Sequence, residues 1–296
     1  MQSPLVSVLM PTWNAGQYVA QAVDSILSQS LSDFELLVID GGSTDRTLEI
    51  ISRYRDERVR VISAPSAGLA PALNFGMEHA RAAWIARQDA DDISLAPRLE
   101  LQLKALNAHS HAILSHTDVE FIGEGGAAAR RARFPRTQAL VALRLCFQCP
   151  IVHSTVMFKK EAALAVGGYR EPQAEDYALW GKLIESGRFI GIPQRLLKFR
   201  IHPASASSRH RAPMEVMAET IALEHCRRFM SLTQEEAKRA HAVLQAGNKR
   251  SWADWKWFIG RCVPRLRWKS TEMYAWLGLQ AMKILRSARA PQLESR

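Results

Sequence analysis

The chain has 296 residues, with 39 Lys and Arg against 29 Asp and Glu, and a formal net charge of +10. A composition of 47% apolar and 23% charged residues excludes a disordered, collagenous or coiled-coil polypeptide. Four cysteines exclude a disulfide framework, and no apolar run nears the ~20 residues of a bilayer-spanning helix. The opening MQSPLVSVLMPTWNAG carries no basic stretch and no cleavage site, so no secretory signal is expected and the setting expected is cytoplasmic.

Leu5 to Met10 is an apolar, β-branched run stopped by Pro11. From Gln17 to Ser28, Tyr18, Val19, Ala22, Val23, Ile26 and Leu27 recur at helical spacing. Phe34 to Ile39 is strand-like again and runs into Asp40-Gly41-Gly42. A helical stripe over Thr47–Tyr54, a short strand Val59–Ser63 and a stripe through Leu69, Leu73, Met77 and Ala80 follow. Trp84-Ile85-Ala86 then leads into Asp89-Ala90-Asp91-Asp92. Strands alternating with helices predict a mostly parallel sheet covered on both faces, with ligands gathering at the carboxyl ends of its strands. The polar clusters at 11–16, 40–45 and 88–92 all fall at such ends. Further on, Pro97–Asn107 reads as helix, Ile113–Ile122 as strand and Gly123–Arg133 as a flexible basic loop. Val152–Phe158 reads as strand, Tyr177–Ile184 as helix and Leu196–Ile201 as a closing strand. Beyond Pro203 the pattern is helical, broken at Pro213 and Pro264.

Two common nucleotide sites are absent. The first turn, Pro-Thr-Trp-Asn-Ala-Gly, holds one glycine where a dinucleotide fold needs G-x-G-x-x-G, and no G-x-x-x-x-G-K-[ST] occurs. Asp89-Ala90-Asp91 is the sharpest local feature. Two carboxylates at a strand end suit Mg²⁺ or Mn²⁺ with water and phosphate completing the shell, although acidic turns are commonly just solvated and Asp92 could cap a helix. Cys146-Phe147-Gln148-Cys149 lacks the second pair that zinc needs, so these cysteines, with Cys226 and Cys262, read as core residues. His109, His111 and His116 likewise lack a set of ligand partners.

The strings VSVLMPTWNAGQYVAQAVDSILSQSLSDFELLVIDGGSTDRT, GLAPALNFGMEHARAAWIARQDADDI, GGYREPQAEDYALWGKLIESG and FRIHPASAS, in that order over roughly residues 5–208, resemble family 2 of the inverting glycosyltransferases. The resemblance implies an α/β fold of GT-A type, a mostly parallel central sheet flanked by helices with a Rossmann-like nucleotide-binding half. It implies transfer, with inversion, of a sugar from a nucleotide-diphosphate donor to a hydroxyl acceptor, in cell-surface polysaccharide or glycolipid synthesis. By the same resemblance Pro11, Thr12 and Asn14 lie against the nucleoside, Asp40 accepts from the base with Ser43 beside it, and Asn74 lies near the donor. Asp89, Ala90 and Asp91 form the D-x-D, in which Asp89 and Asp91 hold ribose and metal. Glu175-Asp176 is the pair whose aspartate is the general base, and His202 closes over the diphosphate, in some members as a metal ligand. Where many members read D-D-G-S, this chain reads Asp40-Gly41-Gly42-Ser43, which loosens the choice of base; UDP is favoured over GDP or dTDP.

The chemistry agrees with that scheme. An in-line displacement needs a carboxylate to take the proton of the attacking hydroxyl, typically worth ~10²–10⁴-fold, and a cation to stabilise the departing diphosphate. Asp176 also suits a plain helix-capping or dipole role. The rival from another class is a catalytically silent nucleotide-sugar-binding scaffold subunit.

Residues 205–296 carry 17 basic and 8 acidic side chains and five of the eight tryptophans, so 1–208 is expected as the catalytic domain and 209–296 as a basic helical extension. Aromatic and basic residues interleaved over 251–296 suit a helix lying on anionic lipid; the plainer reading packs the tryptophans inside. Expected partners are the donor, a glycan or lipid-linked acceptor and the inner membrane face, with no nucleic acid.

Overall fold

The computed structural model describes residues 3–64, 68–170, 173–205, 211–246 and 251–289. It divides into two compact units, residues 1–134 with 151–214 and residues 135–150 with 215–296. Residues 135–150, which lie inside the 1–208 span expected as one domain, thus cluster with the C-terminal helices.

The first unit is built on β1 (Val6–Thr12), β2 (Phe34–Asp40), β3 (Val59–Ser63) and β4 (Trp84–Arg87), all parallel, in the order β3-β2-β1-β4. Helices α1 (Val19–Leu27), α2 (Thr47–Ile51) and α3 (Leu69–His79) connect them, and α4 (Arg98–Asn107) follows. Alternate residues of β1 serve the two faces of the sheet. Val6, Val8 and Met10 pack with Val23 and Ile26 of α1 and with Leu99 and Leu103 of α4. Burying each such side chain stabilises the fold by about 1.5–3 kcal/mol. On the other face Gly76 lets α3 approach closely, because a Cβ there would collide with Ile39 and touch Leu9.

Because β2 and β3 lie on one side of β1 and β4 on the other, the sheet reverses direction of growth at β1. That switch point opens a crevice at the carboxyl ends of β1, β2 and β4. Pro11 does not end β1 as the sequence suggested. The ladder with β4 stops at Leu9, so residues 10–12 pair with β2 alone and the missing proline donor faces no strand.

The sheet continues antiparallel through β8 (Met157–Lys159) to β6 (Ala112–Ile122), then parallel to β9 (Arg188–Arg200), with β5 (Ile93–Ser94) on its far edge. Three expectations need correction. Ala128–Ala132, expected in a loop, forms β7 against β6 through a turn with Gly126 at φ 85; its Ala/Arg composition and exposed faces hid the strand signal. Within Val152–Phe158 the chain makes a turn of 3₁₀ helix, His153–Thr155, before β8 begins. Asp92 caps no helix, since α4 starts after Pro97.

The second unit is helical: α5 (Gln138–Leu145), most of Arg211–Met230, then Gln234–Gln245, Trp252–Arg261 and Thr271–Arg289. Its polar joints include both a local pair and a long-range one. Thr233 and Glu236 form a capping box, and the Glu272 carboxylate accepts from the Arg136 and Thr137 amides ahead of α5. Of the tail's tryptophans, Trp255 is buried and stacks on Phe258, half-buried Trp268 meets the edge of Phe229, half-buried Trp276 stacks on Phe147, Trp257 is half-buried and Trp252 is exposed. Cys146, Cys226 and Cys262 are free and buried in the same core.

Candidate active site

The crevice is shaped by two loops that lock together. Asn14 takes a left-handed backbone (φ 50) after β1, and its Oδ1 accepts from the Thr44 amide at 2.8 Å and the Asp45 amide at 3.3 Å. The Asn14 amide donates to Ser43 Oγ at 3.0 Å, and the Gly16 amide to Asp45 Oδ2 at 2.9 Å. Asp40, at the end of β2, is almost wholly buried. Its carboxylate accepts from the Gly42 and Ser43 amides at 3.0 and 3.1 Å and from Thr12 Oγ1 at 3.4 Å. Pro11, Thr12, Asn14, Asp40 and Ser43 therefore share one wall, and these bonds fix its shape.

Three carboxylates crowd the end of β4. One oxygen each from Asp89, Asp91 and Asp92 lies within 4.8 Å of the others. Such crowding is unfavourable without cations, and burial followed by Asp89 pushes the Asp91 carboxyl up. Three arginines offset it. Arg87 is buried and reaches Asp89 Oδ1 at 2.5 Å. Arg200, also buried, donates from Nε to the Asp91 carbonyl at 2.9 Å and from its amide to Asp92 Oδ1 at 2.8 Å. Arg98 has no direct carboxylate. It donates to Gln88 Oε1, Ser94 Oγ and the Arg87 carbonyl, and burial pulls its guanidinium down to about 9.

The three aspartates are not equivalent. Both Asp92 oxygens are engaged, by Ser154 Oγ and the Arg200 amide, so this residue ties the His153–Thr155 turn and β9 into the site. Asp89 and Asp91 keep partial exposure toward the crevice, while Ala90 between them is buried. Asp91 Oδ2 lies 2.8 Å from His202 Nε2, whose ring packs against Tyr18 at 5.0 Å between centroids. The clustered carboxylate oxygens, with His202 beside Asp91, are a donor set that suits a small divalent cation. The end of the FRIHPASAS string, at 206–207, lies outside the described residues.

The second acidic pair opens α7 (Glu175–Leu183) behind Ala174, whose left-handed backbone (φ 56) provides the N-cap. Asp176 is the second helical residue rather than the cap. Its Oδ1 accepts from the Tyr177 amide at 2.7 Å. Burial, with Glu175 and Asp89 as like charges, pushes its carboxyl up to about 6 against the opposing pull of His153. That Asp89 acts on Asp176 places the two acidic groups in one electrostatic neighbourhood. Glu175 is buried, yet its carboxyl is held low: burial alone would raise it, and the His153 hydrogen bond and charge outweigh that.

Asn74 works at one remove. Its Nδ2 donates to the Tyr169 carbonyl at 2.7 Å and its Oδ1 accepts from the Tyr169 amide at 2.9 Å, so the amide is spent on pinning the segment that leads into α7. Gly167 and Gly168, both at positive φ, let that segment turn back to it.

Four side chains here escape sequence reasoning: Arg87, Arg98, Arg200 and His153. The only signal was chemical incongruity, an arginine inside the apolar strand Trp84–Arg87 and another opening a helix yet fully buried.

Among solved structures, TarS of S. aureus in complex with UDP-GlcNAc superposes with a TM-score of 0.60 at 18% identity, over 96% of this chain and 89% of that one. The mannosyltransferase PcManGT from Pyrobaculum calidifontis, in complex with GDP-Man and Mn²⁺, gives 0.57 at 16% identity, over 100% and 89%. The fold is thus the GT-A fold of nucleotide-sugar transferases. The O-antigen biosynthesis glycosyltransferase WbnJ of Escherichia coli is 31% identical over 211 residues, 68% of this chain and 81% of its own. The family model "Glycosyl transferase family 2" matches residues 7–166, and the chain belongs to that family and is a glycosyltransferase.

Proposed function

We propose that this enzyme transfers a sugar from a UDP-sugar to a hydroxyl acceptor with inversion and in the presence of a divalent cation, in the assembly of a surface polysaccharide or glycolipid. What supports the reading is the cluster of Asp89 and Asp91 at the end of β4 together with an Asp176 that feels the charge of Asp89 and whose carboxyl is pushed up to about 6. A base of that strength is ionised at neutral pH and still takes a proton readily. Asp176 would receive the acceptor's proton as the oxygen attacks. Asp91 and Asp89, with His202 alongside, would hold the cation, which when bound offsets charge growing on the diphosphate. Pro11, Thr12, Asn14, Asp40 and Ser43 would form the nucleoside wall, with Ala90 in the floor.

Gly41 supports a relaxed base preference. Its backbone is not left-handed, and a Cβ would meet only the Thr12 carbonyl at 3.5 Å, so the fold does not demand glycine there. The position is open to a base or to water. A thermal-shift screen of UDP-, GDP- and dTDP-sugars with and without Mn²⁺ tests the reading, since a ligand of the native state raises stability by RT ln(1 + [L]/Kd). Stabilisation by a UDP-sugar that depends on Mn²⁺ is expected, and indifference to every nucleotide would overturn it. A silent scaffold would bind in this screen yet release no nucleoside diphosphate.

The tail reading shifts to different residues. Among the described residues no helix is long and apolar enough to cross a membrane. The outward faces of Trp252–Arg261 and Thr271–Arg289 nevertheless expose Trp252, Ile259, Tyr274, Leu279 and Met282 beside Lys256 and Lys283. In a segment this basic, such faces suit peripheral contact with anionic lipid on the inner membrane face. Replacing Tyr274, Leu279 and Met282 together by Glu should abolish flotation with phosphatidylglycerol vesicles while leaving thermal stability within a few degrees. Undiminished flotation of the folded triple variant would remove the membrane role.

A further inference from the structure

His153 has no part in the chemistry so far, yet its ring sits against Glu175, the neighbour of the proposed base. The 3₁₀ turn after Val152 carries its ring into the space between α7 and the segment around Tyr169. There Nδ1 stands 3.4 Å from Glu175 Oε1 and Nε2 stands 2.9 Å from the Tyr169 hydroxyl. Trp180 meets the ring edge-on at 5.8 Å between centroids, and Tyr169 lies tilted against it at 5.4 Å. Tyr169, Glu175 and Trp180 are all buried, and the Asn74 clamp fixes the tyrosine backbone.

The hydrogen-bonding capacities of the two partners determine which forms of the ring this pocket accepts. A carboxylate only accepts, so a proton on Nδ1 points at Glu175. A phenol hydroxyl both donates and accepts, so Nε2 is satisfied whether or not it carries a proton. The pocket therefore holds neutral and charged imidazole alike.

We propose that His153, held between Glu175 and the Tyr169 hydroxyl, is the positioning residue for Asp176: it fixes Glu175 at the start of α7 and supplies the positive charge that keeps its neighbour ionised and ready to accept a proton. This rests on reading Asp176 as the base. Among the described residues, Glu175 on its own helix, Asp89 after β4 and His153 from the 3₁₀ turn act on Asp176, and Arg87 of β4 acts on Glu175. Glu175 and Asp89 are carboxylates that oppose ionisation. Without the imidazole, Asp176 would keep its proton to higher pH, and transfer would fail at neutrality but recover in alkali.

Carboxyl NMR of the full chain labelled with [4-¹³C]aspartate reads this without any donor in hand, the Asp176 signal being assigned by its absence from Asp176→Asn. His153→Asn and His153→Gln should each move the Asp176 titration midpoint upward by about one pH unit, the influence expected of one nearby opposite charge. Tyr169→Phe removes only the hydroxyl that stabilises the charged ring, and a smaller shift of the same sign is expected. An unmoved midpoint in the folded variants would overturn the inference. Full turnover by Asp176→Asn would instead remove the base reading itself. An inactive Asp176→Asn together with unshifted His153 variants would remove the role of His153 alone.

Discussion

Asp176→Asn is expected to lower the rate of sugar transfer by about 10²–10⁴-fold, the usual worth of a positioned general base, while nucleotide-sugar affinity stays within about twofold. The amide keeps the shape of the carboxylate and its bond from the Tyr177 amide but cannot take up a proton. In the parent enzyme the rate should fall as pH drops through about 6, where the carboxyl becomes protonated. Stability should run the other way. The native carboxyl binds its proton more tightly than an unfolded aspartate with its ordinary value near 3.9, so the native state holds the extra proton between about pH 4 and 6. That contribution is complete below the unfolded value and is lost as pH rises through the folded one. At pH 8 the variant, freed of a buried charge among like charges, should be more stable than the parent by on the order of 2 kcal/mol, with little difference at pH 3.5. Paired rate measurements and thermal melts at the two pH values check both limbs. Undiminished transfer would sink the base assignment, and a variant less stable at pH 8 would sink the electrostatic account of the site.

Asp91→Ala should weaken Mn²⁺-dependent UDP binding by at least about 10²-fold, measured by calorimetry with the metal varied. It removes one of the two crevice-facing carboxylates and leaves His202 Nε2 without its 2.8 Å partner. Disturbing a group that merely orients a metal ligand already costs 10–100-fold, so removal of a ligand should cost no less. The fold should tolerate the change, because burial and Asp89 both act against the Asp91 charge in the absence of a cation. Asp92→Ala makes the contrast. It would orphan the Ser154 hydroxyl and the Arg200 amide in the interior, lost bonds worth roughly 1–3 kcal/mol each, so stability rather than affinity should suffer first. Equal metal affinity in Asp91→Ala and the parent protein would remove Asp91 from the cation site.

Much of the sheet was written locally. Val6–Thr12, Phe34–Asp40 and Trp84–Arg87 are runs whose burial on both faces favours largely apolar sequence, and such runs are recognisable without a partner. The Ala128–Ala132 strand was not, because nothing apolar marks an exposed edge strand made of alanine and arginine. α5 carries an apolar run long enough to be seen, yet no local feature says that it belongs with helices seventy or more residues downstream rather than with its chain neighbours. The tail tryptophans show the converse. Their composition suits a lipid surface, but composition does not say which way a ring points, and the five differ: Trp255 is buried, Trp252 is exposed and the other three are half-buried.

What the sequence alone offered was a set of candidate carboxylates. Asp40 and the Asp89–Asp91 pair stand out at strand ends through hydrophobic period and local composition, both properties of short stretches, whereas the Glu175–Asp176 pair at a helix start is singled out by the resemblance to family 2. What only the tertiary structure decided was how those carboxylates are held and how basic they are. Arg200 reaches Asp92 across 108 positions, Asn74 reaches Tyr169 across 95, and His202 reaches Asp91 across 111. Strengths of acids and bases in a protein depend on the charges and the solvent around them, and those neighbours come from chain segments that no local pattern connects.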